Sequence, residues 1–231
     1  MSEITPAEWT AILLSLRVAV IATLVATPFG IALAWLLARY NFWGKSVLDA
    51  LVHLPLVLPP VVTGYLLLLT FGRRGLVGAW LADHLGIVFA FRWTGAALAC
   101  GVMSFPLLVR PIRLSIEAID RRLEQAAGTL GAAPWRVFAT VTLPLALPGI
   151  LAGMVLGFAK AIGEFGATIT FVSNIPGETQ VISSAIYSLI QTPDGDAAAA
   201  RLVIISVIIA MAALIGSEWF ARRATRRLHG N

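Results

Sequence analysis

The sequence predicts an all-α membrane protein, a single domain over residues 1–231 with five transmembrane helices. Three observations carry that prediction. Hydrophobic residues make up 58% of the chain, charged residues only 13%, and mean hydropathy is +0.87. One soluble core of this size cannot hide so much apolar surface. Five segments reach or approach the roughly 20 apolar residues that a helix needs to cross a bilayer core of about 30 Å. The cations sit at the ends of these segments, so the pI of about 10.1 and the net charge of +5 point to membrane orientation, not to nucleic acid.

Thr5-Pro6-Ala7-Glu8 reads as a helix start, with Thr5 as N-cap, Pro6 at the first helical position and Glu8 closing a capping box. Glu3 and Glu8 precede the first cation, Arg17, which is the reverse of a signal peptide, so no cleavage is expected. The first span, 14–38, lies in a longer apolar stretch from Ile4 to Ala38. Its start is expected to lie along the interface before turning in, with Arg17 snorkelling. Arg39-Tyr-Asn-Phe-Trp-Gly44-Lys45-Ser46 ends like a P-loop, but Arg39 stands where that motif needs glycine, and Gly44 and Lys45 fit a turn with its cationic anchor.

The second span, 48–71, reads HLPLVLPPVVTGY around Pro55, Pro59 and Pro60, and the third, 93–110, carries Pro106 with Pro111 at its end. Proline frees carbonyls that lipid cannot satisfy, so broken backbone must face protein or a watery path. Any single proline fits a kinked packing helix equally well. The fourth span, 143–163, has Gly149, Gly153 and Gly157 on one face, which predicts close helix approach. It continues into FAKAIGEFGATITF, where Lys160 and Glu164 stand four apart. A structural ion pair is the favoured reading, with Lys160 kept as a candidate for an anion path. VISSAIYSLI then predicts a short helix at or dipping into the surface before the fifth span, 201–220.

Lys and Arg set the orientation. Eleven fall after spans one, three and five, whereas Arg73, Arg74, Arg92 and Arg201 fall on the other side. The N-terminus is therefore expected outside and the C-terminus in the cytoplasm. Cys100 stands alone, which excludes an intrachain disulfide or a thiolate cluster, and His53, His84 and His229 form no metal-ligand spacing. No catalytic residue, metal site or bound cofactor is predicted. Uphill transport would need an ion gradient or a nucleotide-hydrolysing partner.

Between spans three and four, on the cytoplasmic side, the chain reads EQAAGTLGAAPWRVFATVTLPLALPGI from Glu124 to Ile150. Gln125-Ala126-Ala127, three residues, Gly131, nine residues and Val141-Thr142-Leu143-Pro144 follow the EAA-loop pattern of bacterial ABC importer permeases, which this segment resembles. Glutamine replaces the usual glutamate, with Glu124 just before it, and Val141 replaces isoleucine. Small residues here allow a short helix, a tight turn and a second short helix started by Pro134, with Trp135 and Phe138 as anchors and Leu143-Pro144 returning the chain to the membrane. LPLVLPPVVTGYLLL, FAKAIGEFGATITFVSNIPGETQ and AIYSLI extend the resemblance to the molybdate-type permeases, relatives of the sulfate permeases.

The resemblance implies a type I importer permease fold (MetI-like) in the bacterial inner membrane, working as a homodimer. It also implies two cytoplasmic ABC ATPase subunits that bind ATP and magnesium, and a periplasmic molybdate-binding protein. Residues 121–144 would be the coupling loop, with Glu124, Gln125, Ala126, Ala127, Gly131, Trp135, Arg136, Phe138, Leu143 and Pro144 at the ATPase. Gly163, Glu164, Gly166 and Thr168 are the candidates for the gate, and Thr63, Ser104 and Lys160 for the path. Sulfate, thiosulfate or tungstate as cargo stays open, as does an ATP-independent anion transporter or channel, although the halves show no internal repeat. A non-transporting scaffold would not explain broken spans beside a docking loop.

Overall fold

The computed structural model describes the backbone of residues 4–229 and the side chains of residues 4–216. The first helix, α1 (Pro6–Arg39), begins on the capping box: Glu8 N–H donates to Thr5 Oγ1 at 3.3 Å and Thr5 N–H to Glu8 Oε2 at 2.6 Å. It is continuous over 34 residues, about 50 Å at 1.5 Å per residue, so the expected interfacial start followed by a turn does not occur. Its N-terminal end is instead held by protein. Ile182 N–H donates to Ser15 Oγ at 2.7 Å, and Arg201 Nη2 donates to Glu8 Oε1 at 2.8 Å. The Arg17 guanidinium stacks over the Trp93 ring, 3.8 Å from the centroid.

Gly44, at φ +91°, turns the chain into α2 (Lys45–Val57), and α3 (Pro60–Phe71) follows after a bend of 115°. Pro59 and Pro60 lack the N–H groups that would continue the α2 ladder, and Pro60 starts α3 at a position needing no donor. A short α4 (Leu76–Leu85) leads to α5 (Trp93–Glu117), which passes through Pro106 and Pro111 unbroken. Then come α6 (Arg121–Thr129) and α7 (Pro134–Val137), whose helix runs through a π-helical turn, Phe138–Thr142, into α8 (Leu143–Ile162). The last three are α9 (Gly166–Val172), α10 (Ile182–Leu189) and α11 (Asp196–His229). Among the described residues, α1, α5, Pro134–Ile162 and Asp196–Gly216 are long and apolar enough to cross a membrane, and α2 with α3 makes a bent fifth candidate.

The core lies where α1, α5 and α8 pack along one another, with α9 closing one end. Gly149 and Gly153 explain how near α5 and α8 approach: a Cβ on Gly153 would stand 2.5 Å from the Leu108 carbonyl oxygen, and one on Gly149 would run into Ser115. The glycine face thus serves packing within the chain. Gly153→Ala is expected to destabilise the fold by about 1–3 kcal/mol, because backbone cannot yield. Gly157→Ala, whose Cβ would meet Leu108 side-chain atoms at 3.6 Å, should be neutral or slightly stabilising. Thermal unfolding of the two detergent-solubilised variants checks the pair, and equal melting points would refute this account of the packing. In α11, Val203, Ile204, Val207, Ile208, Met211 and Ile215 are exposed and form an apolar face suited to lipid or another subunit.

Candidate functional site

Two regions gather the candidate residues. The first is the segment from Arg121 to Pro144, at the C-terminal end of α1. Asp120 caps α6 through Arg122 N–H at 2.9 Å. The helix ends in a Schellman motif, in which Ala132 N–H donates to the Ala127 carbonyl at 3.1 Å and Gly131 N–H to the Gly128 carbonyl at 3.0 Å. Gly131 holds φ +84° at the turn, and no atom would lie within 4 Å of a Cβ there. The glycine therefore answers a backbone requirement, and the space around it is open.

The second helix starts at Pro134 as expected, but it is not short: α7 is the first turn of a helix that continues through the π-helical turn into α8, so Leu143 and Pro144 stand inside a continuing helix. Ala133 is extended after the turn, Pro134 starts the next helix, and that helix passes through a π-helical step at Phe138–Thr142. Gln125 and Ala126 are exposed, Ala127 is half-buried, and Trp135 is 67% exposed beside the exposed Arg136. Phe138, expected as an outward anchor, packs inward edge-to-face on Trp35 with centroids 5.5 Å apart. The outward apolar surface is completed by Leu123 and by Leu130, which is 89% exposed. Neither was singled out from the sequence, although two leucines seven apart in so polar a helix carry that signal.

Glu124 points the other way. Its Oε1 accepts from Arg39 Nη2 at 2.9 Å, Arg39 Nε at 3.2 Å and Thr142 Oγ1 at 2.6 Å, joining α6 to the end of α1 and to the π-helical turn. Arg39 and Thr142 were not among the sequence candidates. Beside this contact lies a cleft lined by Trp35, Arg39, Arg121, Glu124, Gln125 and Phe138.

The second region is where two interrupted spans meet at their breaks. The interruption after Ile162 places Gly163 and Glu164 outside regular helix, and α9 packs on α3. A Cβ on Gly166 would stand 2.6 Å from Pro60 Cβ, and one on Gly64 would stand 2.6 Å from the Ala167 carbonyl oxygen, so each break is seated on the other. Glu164 is 1% exposed. Its Oε1 accepts from Ala167 N–H at 3.0 Å, capping α9, and its Oε2 accepts from Lys160 Nζ at 2.8 Å. The ion pair spans the end of α8 instead of lying on one helical face. Ser183 Oγ donates to the Glu164 carbonyl at 2.7 Å and ties α10 to the break.

Lys160 keeps part of its side chain accessible and Gly163 is exposed. Ser104 is corrected: it is fully buried in α5 with its hydroxyl on the Gly101 carbonyl, so within this chain it lines no path. Thr168 is likewise buried, donating to the Phe165 carbonyl. Thr63 is buried on α3, and its Oγ1 has no hydrogen-bond partner. No cluster of His, Cys, Asp or Glu fit for a metal occurs among the described residues.

Interrupted helices thus meet inside a helical bundle, with an exposed helix-turn segment at one end. Residues 26–227 match the family model "Binding-protein-dependent transport system inner membrane component", and the chain belongs to that family. It is 62% identical over 224 residues to the molybdenum transport system permease protein ModB of Escherichia coli K12, covering 97% of this chain and 98% of that one. To the ModB of Haemophilus influenzae it is 58% identical, covering 96% of each. A bacterial alginate ABC transporter, solved in complex with an alginate pentasaccharide-bound periplasmic protein, has the same fold at 20% identity and a TM-score of 0.75, covering 96% of this chain and 81% of that one.

Proposed function

We propose that this chain is the membrane-spanning subunit of an ATP-driven importer that carries molybdate across the bacterial inner membrane after delivery by a periplasmic binding protein. The observation that carries this reading is 62% and 58% identity with molybdenum transport permeases over nearly the whole chain. The subunit works as a homodimer with the path between two copies, since one bundle of this size is small to enclose a gated pore. ATP and magnesium bind in two cytoplasmic ATPase subunits, and this chain contributes no catalytic group.

The exposed Leu123, Leu130 and Trp135 suit the role of ATPase contact as apolar anchors around a short turn, with the exposed Gln125 offering a polar group on another side of α6. Nucleotide would favour one arrangement of the spans through this face, because a ligand shifts an equilibrium only by its differential affinity for the two states. Opening and closing would occur where the α2–α3 and α8–α9 breaks meet. Lys160, whose side chain is partly accessible there, would attract the oxyanion. The N-terminus lies in the periplasm and the C-terminus in the cytoplasm, following the excess of Lys and Arg on the side of residues 121–144.

Reconstitution of the chain with its ATPase and binding protein in liposomes tests this. Molybdate uptake should require ATP and all three components, and excess sulfate should compete poorly while tungstate competes well. ATP-independent molybdate flux through the chain alone would overturn the reading, and sulfate outcompeting molybdate would overturn the cargo. Orientation is checked by a cysteine at Thr129, which should react with an impermeant maleimide only from the cytoplasmic side. Native Cys100 is buried and leaves that background low.

A further inference from the structure

We infer that Glu124 is a positioning residue of the coupling segment, latched to α1 and to the π-helical turn, and that the ATPase faces Gln125 in its place. The inference rests on the proposed importer reading. All three donors to Glu124 converge on one oxygen, Oε1, and come from elements far apart in the chain: Arg39 closes the last turn of α1, and Thr142 ends the π-helical turn. Thr142 is the informative partner. Helical threonines elsewhere in the chain, Thr23, Thr27, Thr70, Thr140 and Thr170 among them, turn their hydroxyls back to the carbonyl four residues before. Thr142, 1% exposed, instead donates to Glu124 at 2.6 Å.

The carboxylate is thus committed inward, with the Arg39 side chain 9% exposed, and a partner's cation would have to displace three charge-assisted bonds to reach it. Gln125, next along the same helix, is exposed and meets no such competition. A push on α6 would therefore reach α1 through Arg39 and the start of α8 through Thr142 together. The π-helical turn supplies the give, since its hydrogen-bond ladder is already out of step with α-helix on both sides.

The test uses the complete complex of chain, ATPase and binding protein. Glu124→Gln, Arg39→Gln and Thr142→Val are compared with the double variant E124Q/R39Q. Molybdate carried per ATP hydrolysed is expected to fall about fivefold in E124Q and R39Q, with the double variant no worse than either, as residues of one network behave. Thr142→Val keeps the shape of the side chain, removes one bond and should give an intermediate loss. Amide hydrogen exchange over residues 138–142 is expected to speed up about tenfold in E124Q and R39Q alike. Additive losses in the double variant would overturn the latch. So would a Glu124→Gln variant that loses its ATPase while Arg39→Gln matches wild type in both readouts. The exchange measurement judges the latch without any cargo, so a wild-type complex that moves no molybdate would overturn the functional reading alone.

Discussion

Gly131→Val should reduce ATP-driven molybdate uptake at least about tenfold, whereas Gly131→Asn should retain most of it. The difference follows from the turn. Gly131 holds φ +84° and closes the Schellman motif at the end of α6, a conformation that costs a β-branched residue roughly 1–2 kcal/mol and that asparagine tolerates. Valine would force the turn to reopen, releasing Ala132 N–H and Gly131 N–H from their carbonyl partners and re-aiming Leu130 relative to Trp135. Membrane insertion should be unchanged, because the turn lies outside the spans. Uptake assays in whole cells, normalised to the amount of chain in the membrane, check both variants. If bulk in a docking groove were the problem, asparagine and valine would be equally damaging. With the left-handed backbone as the constraint, they should not be.

Glu164→Ala is expected to have the largest effect on stability, about 3 kcal/mol, because removing one partner of a buried pair leaves the other uncompensated. The variant would strip the cap from Ala167 N–H and leave the Lys160 ammonium beside an apolar gap, although partial exposure of Lys160 moderates the cost. A fall in melting temperature on the order of 10 °C is the expected reading in detergent. Glu164→Gln keeps an oxygen for Ala167 N–H and for Lys160, and should lose about a third as much. A melting point for Glu164→Ala within 1 °C of wild type would remove the carboxylate from its place as the brace of this break.

Much of this was legible in the sequence because it depends on local chemistry. Thr5 and Glu8 announced the first helix, and Pro59-Pro60 the break between α2 and α3, since each acts through residues within a turn or two. Gly149 and Gly153 announced close helix approach, though not that α5 would fill the gap. The spacing from Gln125 to Pro144 marked the family. What sequence reasoning lost was direction. An aromatic in a small-residue loop such as Phe138 suggests outward docking, yet its ring packs edge-to-face on Trp35, more than a hundred residues earlier. Ser104 was taken as path-lining because it is polar within a span, but a helical serine can satisfy itself on a carbonyl of the preceding turn. Arg39 read as an orientation anchor, and nothing in the spacing brings it to Glu124, 85 residues away.

The glycine contacts between α5 and α8 also constrain how force can travel. Two helices pressed backbone to backbone over Gly149 and Gly153 cannot slide without lifting apart, so they behave as one stiff beam with the α7 turn at its foot. Along α8 the beam is 20 residues, about 30 Å, and it stops at Gly163, where helix gives way to the capped break. In the proposed importer a small tilt imposed at the foot would be carried along the shaft to its far end, where α9 rests on Pro60 and Gly64. The π-helical turn would be that importer's yielding joint at the foot of this shaft, and the capped break the one at its tip.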